Sequence, residues 1–556
     1  MGDLRMWGFG GDRRRLAMSV SLVALLSACA VKPEPLQPAD LARQAAEDRQ
    51  AMFATEPAPA APLTMADAIA RALKYNLDKR AKMMEEALAL GQTDLDKFEL
   101  LPHVAAQAGY AGRNVPYIAR STDVVTGLPS NANPTVSQDR DRRVGDLSIS
   151  WNILDFGVSY YTAHQDADRA LIAGERRRKT VNILVQEVRY AFWRAAAYQV
   201  LKPSVERAVT EAREALETSR TVEQENLKAP AEALRYQKTL LETLRQLTSI
   251  EEELSTAQIQ LAALINLPPG SEITLAVPDQ MPTPQVTMPI EKMEEVAFLN
   301  NPDLHEQAYL ARIAVDDTRK AILRILPGIS LSASGRYDSN SYLVDKRWYE
   351  TGAMMSWNLI NLVSAPAQID FAETNEEVAQ ARRLALRMAV LAQVHLAERQ
   401  FHNAESQYHQ AGDLWVVDSK LAKLSKDRAS NDAQGVLERV WNDTSAITSH
   451  LRLFQTYAQV QDAYAKILST LGEDVIPPET TNGDLSSLSQ AISSRLENGD
   501  GHKPDPAAAG PQTDQDAGKE DGRGVGDRSV DYLEHLYRAY LRPLFSAVSD
   551  TSRGAA

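Results

Sequence analysis

The chain carries nearly the same text twice. Trp151-Asn152-Ile153-Leu154 recurs as Trp357-Asn358-Leu359-Ile360, an offset of 206 residues. Leu100-Leu101-Pro102-His103-Val104 recurs as Ile325-Leu326-Pro327-Gly328-Ile329. Val188 and Ala191 return, again 206 residues on, as Val394 and Ala397. A unit of this length is too long for a solenoid repeat, which runs about 20–50 residues. It calls for two homologous halves packed side by side around a shared axis.

Hydrophobic periodicity gives each half the same element order. Thr64, with Asp67 three residues later, is an N-cap opening a helix that runs through Lys97. Leu101-Pro102 stops it, and residues 103–112 alternate weakly. After a polar loop over 113–143, Leu147, Ile149 and Trp151 oppose Ser148, Ser150 and Asn152. This period of two is a strand signal, so the half contains a β-hairpin with a long loop. From about Val158 the period changes. Val181, Leu184, Val188, Ala191, Ala195 and Tyr198 form a heptad seam. If helical throughout, residues 158–225 span roughly 100 Å at 1.5 Å per residue. A return helix carries Leu247, Ile250, Leu254, Ala257, Leu261 and Leu264, and Leu267-Pro268-Pro269 ends it. The second half has a helix over 291–323, broken at Asn301-Pro302. Strands follow at Ile329, Leu331, Ala333 and at Tyr349, Thr351, Ala353, Met355, Trp357. A long helix bears Val390, Val394, Ala397, Phe401, Ala404 and Tyr408, and a return helix ends near Leu471-Gly472.

The ends read differently. Arg13-Arg14-Arg15 precede an apolar stretch over 16–26 that closes on Leu26-Ser27-Ala28-Cys29. This is a signal-peptide pattern, too short to span a bilayer, which takes about 20 apolar residues. No later segment reaches that length uninterrupted. Leu-Ser-Ala-Cys resembles a bacterial lipobox, which implies thioether lipidation at Cys29; the alternative is a plain signal peptide that contains a cysteine. Ala30 and Val31 are not acidic, which resembles outer-membrane sorting. Cys29 is the only cysteine, so an internal disulfide is excluded. Residues 30–62, rich in Pro and Ala, read as an extended tether. The region from Pro477 to about Asp527 is low-complexity and reads as disordered. Leu533, Leu536, Tyr537, Tyr540, Leu541 and Leu544 beyond it form one helical stripe, which folds back on its own chain or frays; the alternative is docking on a partner or a membrane.

Chemistry is sparse. The net charge of −14 argues against a nucleic-acid partner, and the basic run Arg176-Arg177-Arg178-Lys179 is short. His395, His402 and His409 repeat every seven residues, about 10.5 Å along a helix, too far apart for one metal ion. They read as a polar flank beside the seam. No nucleophile elbow, phosphate loop or zinc signature stands out. The expectation is a non-enzyme with no cofactor besides the lipid on Cys29.

Two hairpins supply four strands, and an open sheet in hydrocarbon would leave unpaired edges. Three chains would close twelve strands. At this point the residues resemble a known family. The duplicated order, the Leu-Pro break before each first strand, the Trp-Asn pair ending each hairpin and Leu154-Asp155-Phe156-Gly157, like that family's Phe-Asp-Gly-Gly turn, resemble the TolC-type outer-membrane factors. The lipobox points to the lipoprotein branch that includes OprM-like and nodulation-type components. The resemblance spans about residues 63–475.

It implies a mainly α fold with a small β part: an internally duplicated long-helix α-barrel plus two hairpins per chain, completing a trimeric twelve-stranded transmembrane barrel. The implied divisions are a signal peptide (1–28), a lipidated tether (29–62), a first repeat (63–270), a linker (271–290), a second repeat (291–475) and a tail (476–556). The implied protein is a homotrimeric outer-membrane exit duct in a Gram-negative bacterium, lipid-anchored and reaching into the periplasm. It would pass small molecules passively from a periplasmic adaptor and inner-membrane pump. A type I protein-secretion duct, or a pore-less periplasmic coiled-coil scaffold, are the alternatives. The family's tip signature, Gly-Leu-x-Ser-x-x-Asp-Val-Leu, matches Asn226-Leu227-Lys228-Ala229-Pro230-Ala231-Glu232-Ala233-Leu234. At the second tip it departs, with Ala429 for Gly and Gly435 for Asp, while Val436-Leu437 is kept. The resemblance implies an adaptor-docking role for Asn226, Leu227, Pro230, Ala429 and Ser430. It also implies a gate at Arg428, Asp432 and Glu438; the alternative is that these are solvated tip residues.

Overall fold

Each half of the duplication builds the same chain path. The structure, a computed structural model, describes residues 35–53, 62–119, 122–129, 133–225, 229–278, 280–427, 433–474 and 484–497. Met1–Ala58 is one unit, and its described part is a helix, α1 (Pro38–Phe53). The expectation of an extended tether is corrected here. Five alanines and Asp40 in the first turn favour helix, and none of its residues is buried.

The second unit is Pro59–Ala556. Its first half runs α2 (Met65–Tyr75), α3 (Leu77–Glu99), β1 (His103–Gly112), a short ribbon of β2 (Ile118–Ala119) and β3 (Thr135–Val136), β4 (Asp141–Asn152), α4 (Ile153–Gln224) and α5 (Pro230–Leu264). The second runs α6 (Ile290–Asn300), α7 (Pro302–Leu323), β5 (Gly328–Asp338), β6 (Arg347–Ser356), α8 (Leu359–Asp427) and α9 (Ala433–Leu471), followed by α10 (Leu485–Glu497). The long helices α4 and α8 have 72 and 69 residues, hence about 105 Å each.

The seams pack as their periodicity requires. Leu184, Val188, Ala191 and Ala195 of α4 are buried with Leu247, Ile250, Leu254 and Leu261 of α5. Val390, Val394, Ala397 and Phe401 of α8 are buried with Val460, Ala463 and Ile467 of α9. The two halves are not separate bodies. Ile447, Leu451, Phe454, Tyr457 and Ala458 of α9 lie in the same core as α4 and α5.

Where the first helix was expected to run unbroken from Thr64, it breaks at Asn76. The capping box Thr64–Asp67 is present. Asn76 then leaves the helical region (φ −58°, ψ 128°) and its side chain accepts a hydrogen bond from the Lys79 amide. Asn301 does the same for Asp303 and Leu304. Each asparagine also donates its Nδ2 to the end of a return helix: Asn76 to the Leu264 carbonyl (3.4 Å), Asn301 to the Thr470 carbonyl (2.9 Å). Leu264 and Thr470 are 206 residues apart. Just beyond, Asn266 (φ 55°) and Gly472 (φ 72°) occupy the left-handed region at the same offset. The amide of Leu267 bonds Ala262, and that of Glu473 bonds Leu468, closing both helices with the same i to i−5 bond. The duplication therefore holds hydrogen bond by hydrogen bond.

The expectation of a disordered tail is corrected for α10. Its Leu488 and Ile492 are buried in the α2–α4 core, and Ser489 Oγ donates to Asp67 at 2.5 Å. The stripe over 533–544 lies outside the described residues.

Candidate functional site

The candidate functional surfaces are the sheet at one end of the long helices and the tips between them. At one end, β1, β4, β5 and β6 form a single antiparallel sheet in that order. Register fixes its faces. Leu147 sits opposite Ala106 and Gly335, Ile149 opposite Val104 and Ala333, and Trp151 opposite Leu331. Tyr349, Thr351 and Ala353 continue that face on β6. The other face carries Ser148, Ser150, Ser332 and Ser334, together with Arg336, which pairs with Asp146 (3.1 Å) and Glu350 (2.9 Å). The apolar face is open to solvent within one chain: Leu147 is 60% exposed and Tyr349 93%. Among the described residues, no strand covers the outer side of β1 or of β6. No described helix is long and apolar enough to cross a membrane.

The Trp-Asn pairs turn each hairpin into its long helix. Asn152 Oδ1 accepts from the amides of Leu154 (3.0 Å) and Asp155, and Asn358 Oδ1 accepts from that of Ile360 (3.1 Å). Trp357 Nε1 donates to the Ile325 carbonyl (2.9 Å), whereas Trp151 meets Phe156 edge-on at 5.6 Å. Leu154-Asp155-Phe156-Gly157 is therefore the start of α4 rather than a turn before it. Asn152, like Ser or Asp, satisfies the first free amides and so lets the helix begin at once. Gly157 lets α7 approach, since a Cβ there would stand 3.3 Å from Leu323 Cδ1.

At the opposite end stand the tips. Asn226, Leu227, Arg428, Ala429, Ser430 and Asp432 lie outside the described residues, as does Cys29. Pro230 is the first residue of α5, where its missing amide costs nothing, and is exposed. Glu438 is exposed on the second turn of α9. Beside it, Arg439 reaches Glu211 of α4 at 3.6 Å. A cavity of about 510 Å³ opens there, floored by Ala215, Ala233, Val436 and Leu437. One turn further, burial pushes the Asp443 carboxyl up from its ordinary value, with Lys426, Arg439 and Arg207 acting against it. His450 stacks on Trp415 (4.7 Å), and burial pushes its imidazole down.

Sequence reading passed over the middle of the molecule. The basic run there is fully engaged. Arg176 pairs with Glu306 (2.6 Å), Arg177 with Glu86 (2.5 Å) and Lys179 with Asp303 (2.7 Å). Arg178 holds Asp474 (2.8 Å), Glu175 (2.9 Å) and the carbonyls of Asn300 (2.9 Å) and Gly472 (2.5 Å). The same positions in the second half read Arg382-Arg383-Leu384-Ala385. That divergence was the available signal. His395 meets Glu294 at 2.8 Å, and His402 lies between Glu398 (3.3 Å) and Glu405 (3.5 Å). No group of three or more metal-ligating side chains forms a metal site among the described residues.

No protein-family model matches the sequence, and no curated protein matches it. Solved structures do. The outer-membrane channel OprN superposes with a TM-score of 0.57 at 16% identity, covering 76% of this chain and 95% of its own. The CmeC outer membrane channel of Campylobacter jejuni gives 0.56 at 12%, covering 77% and 89%. The outer membrane protein VceC of Vibrio cholerae gives 0.53 at 13%, covering 73% and 96%. Identities this low carry the fold. The chain has the fold of the TolC-type outer-membrane channels.

Proposed function

We propose that three copies of this chain form an outer-membrane exit duct for efflux. The observation that carries this reading is the sheet. Its four strands present one apolar and one serine-rich, ion-paired face, both open, with two uncovered edges. An open edge is not tolerated in hydrocarbon, so β6 of one copy pairs with β1 of the next until twelve strands close. The apolar face then meets lipid, and Ser148, Ser150, Ser332 and Ser334 line water. The long helices continue the duct into the periplasm.

Transport through it is passive, from a periplasmic adaptor and an inner-membrane pump. Their docking surface comprises the two tips, Asn226, Leu227 and Pro230 in one and Ala429 and Ser430 in the other. Arg428, Asp432 and Glu438 form the gate, where three copies concentrate negative charge and favour cations. Cys29 carries the lipid anchor. The likeness in fold to the outer-membrane channels OprN and CmeC and to the outer membrane protein VceC supports this assignment.

The decisive experiment is reconstitution of the full chain in a planar bilayer. The expected result is a low-conductance closed channel that opens when Arg428 is replaced by Ala and Asp432 by Asn. Silence from both the native protein and the loosened variant would defeat the duct reading in favour of a pore-less scaffold.

A further inference from the structure

We propose that His305 is a proton-operated latch: its imidazolium ties the α6–α7 break to α4, and through Glu175 and Arg178 to the end of α9, so that loss of the proton loosens this joint. The proposal is independent of the duct reading, because it concerns a joint within one chain.

The argument starts from geometry. His305 stands one turn into α7. Its Nδ1 lies 2.9 Å from Glu175 Oε1, and its Nε2 lies 2.6 Å from the Leu299 carbonyl oxygen. A carbonyl only accepts, and so does a carboxylate. A neutral imidazole has one donor and one acceptor, so it satisfies one of these contacts and sets a lone pair against the other. Only the doubly protonated ring donates to both. The Glu175 hydrogen bond raises the imidazole pKa against the lowering effect of burial, and the Leu299 carbonyl adds to the rise. For Glu175, burial alone would raise the carboxyl, but His305 and Arg178 outweigh it and hold it below the usual range.

The ring belongs to a chain of contacts. The second oxygen of Glu175 takes Arg178, which also holds Asp474 and the carbonyls of Asn300 and Gly472. Three segments therefore meet at the Glu175–Arg178 pair: α4, the α6–α7 break, and the close of α9. The other charges around the ring are already matched. On α7, Asp303 takes Lys179 of α4, and Glu306 takes Arg176. From α8, Arg387 lies over the Phe298 ring of α6 at 5.9 Å. No other titratable imidazole contacts this joint among the described residues. The sister joint, Asn76 with Leu264 and Asn266, lacks the device. Its residue equivalent to His305 is Arg80, and its residue equivalent to Glu175 in the long helix is Ala381. The molecule thus contains its own control.

The direction of the effect follows from the raised imidazole. Protons bind the folded joint more tightly than the unfolded chain. The stabilisation is complete below the ordinary histidine pKa and is lost as pH rises through the elevated one.

Hydrogen–deuterium exchange of the full chain in detergent, from pH 6 to pH 9 and corrected for intrinsic amide rates, reads each joint separately. In the native protein, protection over 299–305 and 468–474 is expected to fall as pH rises through the elevated imidazole pKa. Protection over 72–80 and 262–267 is not expected to fall: the buried Lys79 there donates its Nζ to the Leu73 carbonyl (2.6 Å), and burial lowers its pKa, which acts in the opposite sense as pH rises. His305→Gln should give low protection at the second joint at every pH, and His305→Lys, which keeps a charged donor, should hold it high to pH 9. Parallel pH responses at the two joints of the native protein would overturn the latch, as would a His305→Gln variant that keeps the native profile. The native-protein measurement stands even where a variant fails to fold.

Discussion

The joints at Asn76 and Asn301 are made by the same hydrogen bonds, yet they differ in what surrounds them. At the first, Asn266 supplies the left-handed turn, and Arg71 Nε donates to the Ile265 carbonyl across 3.1 Å. At the second, Gly472 supplies the turn and Arg178 brings a charged network onto it. Duplication fixed the backbone solution. One copy carries a charged network that the other lacks. Backbone hydrogen bonds depend little on side-chain identity, so they persist while the side chains around them change function.

Substitutions can break this comparison. The largest expected effect is Gly472→Ala. Its Cβ would overlap the Asn300 carbonyl, in a conformation side chains rarely adopt, at a cost of about 3 kcal/mol or more in denaturant unfolding. At the sister position, Asn266→Ala should cost less, about 1–2 kcal/mol, because a Cβ is already accommodated there. Equal costs would mean that the joints are sterically alike. Next comes Arg178→Ala, which strands Asp474 and two carbonyls, for about 2–3 kcal/mol. Leu384→Ala at the matching position, 61% exposed within the chain, should cost less than about 1 kcal/mol in monomer stability. A large loss of trimer in that variant would assign Leu384 to a subunit interface.

Asn76→Ala and Asn301→Ala should each cost about 1–2 kcal/mol by thermal melting, because both lose a cap and an amide bond. A marked inequality would show that the shared bonds carry unequal weight. The smallest effect concerns the helix starts, where the halves also differ. Thr64 caps α2 with its side chain, whereas Pro289 precedes α6 without one. Burial would raise the Asp67 carboxyl, but hydrogen bonds from Ser489 and Thr64 prevail and hold it low. Its stabilisation is therefore present above the ordinary carboxylate pKa and lost as pH falls through the depressed one. Ser489→Ala should cost about 1 kcal/mol at pH 7. That difference should vanish on acidification, read as proteolysis of α10. A persistent difference in acid would detach Ser489 from the Asp67 charge.

Much of this fold was legible before the coordinates. Strand faces and seams were, because period-two and heptad spacing are imposed by burial along whole elements. The break at Asn301 was legible because Pro302 follows it. The identical break at Asn76 was not, because Leu77 reads as a continuing helix. The α10 segment was hidden in a polar stretch, where two apolar residues four apart, Leu488 and Ile492, suffice once a partner face exists. The charged hub escaped because a run of four basic residues usually marks a solvated face, and only its five acidic partners, scattered over 86–474, reveal otherwise. Of the tips, the sequence supplied a family resemblance in place of geometry.

The capped starts of α4 and α8 have a metric consequence. Both long helices begin at the same Asn, directly under the sheet, and run 72 and 69 residues to the far end. They act as a pair of rulers with a common zero. One residue inserted in either would lengthen it by about 1.5 Å and rotate everything beyond by about 100°. Every seam residue past the insertion would then face the wrong neighbour. Seven residues inserted in both rulers and both return helices would instead add about 10 Å with the seams nearly realigned. The span between sheet and tip is therefore quantised, and it changes only in whole heptads shared by all four helices.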